Sequence, residues 1–124
     1  MSEIHLPHDH GHSGTAAAQN MPHEQDFGSV AAHFKQLGDS SRLRIFWLLC
    51  HCEECVINIS ALVNMSSPAV SHHLRLLKSS GFIQSRRAGK EVYYTAAQTP
   101  VAQLLHDMIK QLLALECPDM CHFE

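Results

Sequence analysis

Between Leu49 and Cys55 the chain reads LCHCEEC, which puts three cysteines, one histidine and two acids into six consecutive positions. Thiolates bind soft and borderline cations, and the Cys50-X-Cys52 and Cys52-X2-Cys55 spacings let neighbouring sulfurs share one ion. Zinc, cadmium, lead, copper(I) and arsenite all suit such donors. The C-terminus carries a second group, CPDMCHFE, with Cys117, Cys121 and His122. Two cysteine groups in one small chain point to a shared site built from Cys52, Cys55, Cys117 and Cys121, from one chain or from two. Cys50 is a further candidate ligand, and equally a core residue, because unpaired cysteine is among the most buried residue types. Cys52-X-X-Cys55 also has redox spacing, but redox motifs of this kind open a helix after a strand in a βαβ unit, and no strand is predicted before Cys52.

The rest of the chain limits what these residues can serve. At 124 residues it has the length of one domain. No apolar run approaches the roughly 20 residues that span a bilayer. Met1 is followed by acidic and His-rich sequence rather than a basic and then apolar leader. The expectation is a cytoplasmic protein whose five cysteines stay reduced. Residues 1–25 lack periodicity and read as a disordered arm; its His5, His8, His10, His12 and His23 read as a solvated tail with adventitious metal affinity. Residues 26–116 form the expected domain, and 117–124 a cysteine-containing tail.

Charge is uneven. Residues 1–26 hold four acids and no Lys or Arg, whereas residues 66–94 hold Arg75, Lys78, Arg86, Arg87 and Lys90 against Glu91 alone. An electrostatic footprint is local, so the basic segment is the informative one.

Five helices and a hairpin are predicted to position these groups. Phe27, Val30, Phe34 and Leu37 follow helical spacing up to Gly38. Asp39 to Ser41 cap a second helix whose stripe is Leu43, Phe46, Trp47 and Cys50. Asn58 can cap a short third helix with Ile59, Leu62 and Val63 inward. Ser66 or Ser67 followed by Pro68 starts a fourth, since proline in the first turn loses no needed hydrogen bond. Phe82 to Arg86 and Glu91 to Thr95 flank a Gly89 turn, a β-hairpin signal. Thr99 and Pro100 cap a last helix in which Val101, Leu105, Met108, Leu112 and Leu115 step by four and three; with Leu104 and Ile109 the stripe is wider than a small domain buries. A second copy of the chain would cover the excess, giving a homodimer through the first and last helices.

The third and fourth helices form a helix-turn-helix pattern, and the basic hairpin beside them reads as a wing. With Val70, Leu74 and Leu77 inward, Ser67, Ser71, His72, Arg75 and Lys78 face outward to meet base edges and phosphates in a major groove. Arg86, Arg87 and Lys90 would reach the neighbouring backbone. Catalysis finds no support: no Ser-His-Asp set, phosphate loop or paired carboxylates occur.

The segment SSPAVSHHLRLLKSSGFIQSRRAGKEVYYT, with Val-Ser-His-X-Leu in the fourth helix and Arg-X-Gly-Lys in the wing, resembles the ArsR/SmtB family of winged-helix metal-sensing repressors. The resemblance spans residues 27–115. It implies a homodimer that binds an inverted repeat in double-stranded operator DNA and leaves it when a metal ion binds. Thiolate-sensing members carry Cys-X-Cys at the start of the third helix; the first of that pair falls on Cys55 and the second on Ile57. The family's other site falls on Gln98, Pro100, Gln111 and Ala114, none a good ligand, so it is rejected here. A thiol-redox-responsive repressor of the same fold and a DNA-binding protein with a purely structural zinc site are the alternatives. Metal removal separates the latter, since a structural site unfolds without its ion.

Overall fold

A computed structural model describes residues 5–11 and 13–117. The chain divides into two compact units, Met1–Ala32 and His33–Glu124. The first contains α1 (Ser13–Gln19), which buries no residue, and the start of α2 (Glu24–Leu37). The second holds the end of α2, then α3 (Ser40–Leu49), β1 (Glu54–Cys55), α4 (Val56–Val63), α5 (Ser67–Ser79), β2 (Ile83–Ala88), β3 (Glu91–Ala96) and α6 (Pro100–Glu116). Six helices are thus present among the described residues, not five. The additional one, α1, is an alanine-rich stretch in the part of the arm expected to be irregular; alanine's helix propensity accounts for it without burial.

Helix starts follow the caps. Asp39 accepts a hydrogen bond from the Arg42 amide, Ser66 from that of Ala69 and Thr99 from that of Ala102. The third helix starts elsewhere than expected: its N-cap is Cys55, and Asn58 lies inside it, donating from Nδ2 to Glu54 Oε1 at 3.0 Å. Asn64 then takes φ 56° in the turn to α5, a left-handed conformation that asparagine tolerates better than most residues.

The core is Ile45, Phe46 and Leu49 from α3, Ile59 and Val63 from α4, Val70, Leu74 and Leu77 from α5, Phe82 and Ile83, and Ala102, Leu105 and Ile109 from α6. In α3 the deepest residues are Ile45 and Leu49 rather than Leu43, Trp47 and Cys50, which are half-buried. In α4 Leu62 is exposed instead of inward. α3 packs against α4, α5 and β3, so its buried arc includes Ile45 and Leu49 beside Phe46.

The sheet is antiparallel in the order β1-β3-β2. Ala88 pairs with Glu91, leaving Gly89 and Lys90 as a two-residue turn in which Gly89 supplies φ 64°. The third strand was not anticipated: Glu54 pairs with Tyr94 and Cys55 with Tyr93. On α6, Val101, Leu104, Leu112, Leu113 and Leu115 are exposed, as are Phe27, Val30 and Phe34 on α2. None of the described helices is long and apolar enough to cross a membrane.

Candidate nucleic-acid interface and thiol segment

Helix α5 is held by its inward stripe. Val70, His73, Leu74 and Leu77 recur at i, i+3, i+4 and i+7 and are buried, which leaves Ser67, Ser71, His72, Arg75 and Lys78 exposed along one face. Arg75 Nη2 lies 3.1 Å from His72 Nδ1, so these two form one polar unit. Lys78 Nζ donates to Ser85 Oγ at 2.7 Å and links the end of α5 to the wing. His73, whose inward position was readable from the same spacing, is buried and accepts at Nδ1 from Arg42 Nε at 3.3 Å. Arg42 also donates from Nη1 to the Gln36 carbonyl at 3.0 Å. His73 thereby anchors α5 to the segment entering α3. Burial holds its imidazole below the ordinary value, partly offset by Asp39 and reinforced by Arg42.

The wing's three cations are not equivalent. Arg87 and Lys90 are exposed and have no carboxylate partner among the described residues. Arg86 grips the Glu53 carboxylate with two nitrogens, Nε to Oε2 at 2.9 Å and Nη2 to Oε1, and lies 4.9 Å from the centroid of the Tyr93 ring. The Arg86 hydrogen bonds lower the Glu53 pKa, and Glu53 raises that of Arg86. Arg86 therefore ties the wing to the cysteine segment, a pairing across 33 positions that local patterning cannot reveal.

The cysteines sit at three depths. Cys50 packs against the core, and burial pushes its thiol up to about 12. Cys52 is half-buried, donates from Sγ to the Leu48 carbonyl at 3.3 Å, and is raised by burial and then by Glu54. Cys55 is buried at the joint between β1 and α4. Thr95 Oγ1 lies 3.2 Å from the carbonyl oxygens of both Leu49 and Cys52, which fixes the intervening turn against β3. Cys117 is exposed just beyond α6, and Cys121 and His122 lie outside the described residues. Among the described residues no group of three or more His, Cys, Asp or Glu side chains is placed to hold a metal ion. Of the expected shared site, Cys52, Cys55 and Cys117 lie among the described residues and Cys121 does not; the further candidate, Cys50, packs against the core, and Cys52 donates to a backbone carbonyl.

One contact in this region was not expected. His51 and His106 bring their Nε2 atoms to 3.2 Å, and the His51 ring lies tilted at 39° to that of Trp47 with centroids 4.3 Å apart. Burial, then His106 and Lys110, hold His51 below the ordinary imidazole value.

Similar architecture and sequence occur in known proteins. A family model described as bacterial regulatory protein, arsR family, matches residues 39–85, from the α3 cap into β2. The transcriptional repressor SmtB homolog of Synechocystis is 39% identical over 67% of this chain and 63% of its own length. The chain thus spans less than two thirds of that relative. The cadmium resistance transcriptional regulatory protein CadC of Listeria innocua is 38% identical over 64% of this chain and 68% of its own. The solution structure of the homodimeric winged helix-turn-helix DNA-binding domain of Mb0332 from Mycobacterium bovis superposes with a TM-score of 0.64 at 30% identity, covering 92% of this chain and 97% of that one. With helix-turn-helix, wing and sequence in agreement, the chain belongs to the arsR family of bacterial regulatory proteins.

Proposed function

We propose that this chain is a metal-responsive repressor, a homodimer that binds double-stranded operator DNA through α5 and the wing and is released when a thiophilic ion binds. Its family is one of regulatory proteins, not enzymes. The observation that carries the reading is the position of Cys55. It is at once a thiol, the N-cap of the first helix of the helix-turn-helix, and the strand partner of Tyr93 in the wing sheet. Glu53, two positions before it, holds the wing's Arg86. An ion drawn to Cys52 and Cys55 therefore pulls on both DNA-reading elements.

In the DNA-bound form, Ser67, Ser71 and His72 face base edges while Arg75, Lys78, Arg87 and Lys90 face phosphates. Arg86 is shared between Glu53 and the backbone of the duplex. The ion's remaining ligands are Cys117 and Cys121, from the same chain or the partner, and Cys50 serves as packing. The dimer forms through α2 and α6, whose exposed Phe34, Leu104 and Leu112 supply an apolar surface that one chain leaves uncovered. The cadmium resistance relative supports a thiophilic inducer.

A coupling of about 1 to 3 kcal/mol between ion and DNA, roughly 5- to 150-fold in affinity, is sufficient for such a switch. The test is to select a duplex from a random-sequence pool, measure its binding by anisotropy, and titrate zinc, cadmium, lead, copper(I) and arsenite into the complex. Release by at least one ion at substoichiometric free concentration supports the reading. Specific DNA binding that no ion changes contradicts the sensor, and an apo-protein that is unfolded would make the site structural.

A further inference from the structure

The His51 and His106 imidazoles belong to neither the DNA-reading face nor the thiol set, and they meet across 55 positions of sequence. His51 is exposed just after α3, and His106 is half-buried on α6, at the edge of a cleft of about 310 Å³ that also touches Cys50 and Gln103. Their rings are close to perpendicular, at 73°, with centroids 5.0 Å apart. As neutral imidazoles they share one N–H, and each ring can shift its proton to Nδ1 and present an Nε2 lone pair. Two nitrogens bound to one tetrahedral ion at 2.0 to 2.1 Å stand about 3.3 Å apart. The observed 3.2 Å, that of an N–H···N hydrogen bond in the metal-free form, also matches the separation of two ligands on a common ion.

We infer that His51 and His106 form a two-imidazole site for a borderline divalent cation such as Zn²⁺ or Ni²⁺, clamping the end of α3 to α6. Imidazole suits these ions, and water completes the coordination. The ion joins the DNA-reading half of the fold to the helix that carries the uncovered apolar face. This site does not rest on the thiolate reading, because its ligands are nitrogen and neither Cys52 nor Cys55 contributes.

Trp47 is the chain's one tryptophan and its ring centroid lies 4.3 Å from that of His51, so its fluorescence responds to an ion held there, and the variants below separate that ion from one on the thiols. Full-length protein is titrated with Ni²⁺, a paramagnetic quencher, and Trp47 fluorescence is followed. The His-rich arm is present in every variant and contributes a common background. Wild type and the Cys52→Ser, Cys55→Ser double variant are expected to quench with the same midpoint. His51→Gln and His106→Gln should each weaken it by at least the roughly 10-fold that even an outer-shell partner of a ligand is worth. His106→Gln leaves the ring beside Trp47 intact and so separates loss of metal from loss of the reporter. A wild-type midpoint in both histidine variants overturns the site. Loss of quenching only in the cysteine variant places the ion on sulfur, which also overturns this inference but leaves the proposed thiolate input standing.

Discussion

Arg87→Ala is the cleanest test of the wing, because the side chain is exposed and has no carboxylate partner among the described residues. The proposed dimer has two wings, so on this reading the substitution removes two phosphate contacts. At about 0.9 per contact, the slope of log affinity against log salt flattens by about 1.8. Raising salt from about 50 to about 200 mM then shrinks the Arg87→Ala defect by roughly 12-fold, the fourfold salt change raised to that power. The assay is anisotropy of a labelled duplex at several salt concentrations. Glu53→Gln supplies the opposite sign. It frees Arg86 from its carboxylate, so the slope should steepen toward the value expected for two added contacts. Parallel salt dependences for wild type and Arg87→Ala would refute the placement of the wing on the DNA backbone, and an unchanged slope in Glu53→Gln would refute the sharing of Arg86.

Other outcomes follow from the same contacts. Leu104→Glu on the exposed face of α6 should turn a micromolar dimer into a monomer in sedimentation; a persisting dimer would mean that α6 is not the interface. Under limiting alkylation, mass spectrometry should find exposed Cys117 modified first and Cys50, pushed up to about 12, far later; the reverse order contradicts the burial of Cys50. Buried His73 resists protonation in the fold, whereas in the unfolded chain it protonates near 6.5. The unfolded state therefore binds more protons just below that value, so stability is lost as pH falls from there toward the folded-state value. His73→Gln should reduce this acid loss in denaturant titrations between pH 7 and pH 5; equal losses would mean His73 does not titrate on unfolding.

What the sequence made legible was local. Asp39, Ser66 with Pro68, and Thr99 with Pro100 mark helix starts through side chain to backbone bonds within three residues, and the Gly89 turn marks the hairpin. The outward face of α5 follows from helical spacing alone. What escaped depends on residues far apart in the chain. A two-residue strand has no periodicity, so the pairing of Cys55 with Tyr93 could not be read, nor could Glu53 with Arg86 or His51 with His106. The family resemblance placed Cys55 at the start of a helix but not in a sheet. It is the sheet that connects the cysteine segment to the wing.

That connection is tested most directly by one comparison: the ion-dependent release of operator DNA by wild type, Cys52→Ser and Cys55→Ser, measured by anisotropy on folded, dimeric protein. Both variants should bind the duplex as wild type does and fail to release it when the inducing ion is added, since each lacks one thiolate but keeps α5 and the wing cations. Full ion-dependent release by both variants would contradict the account and remove LCHCEEC as the input.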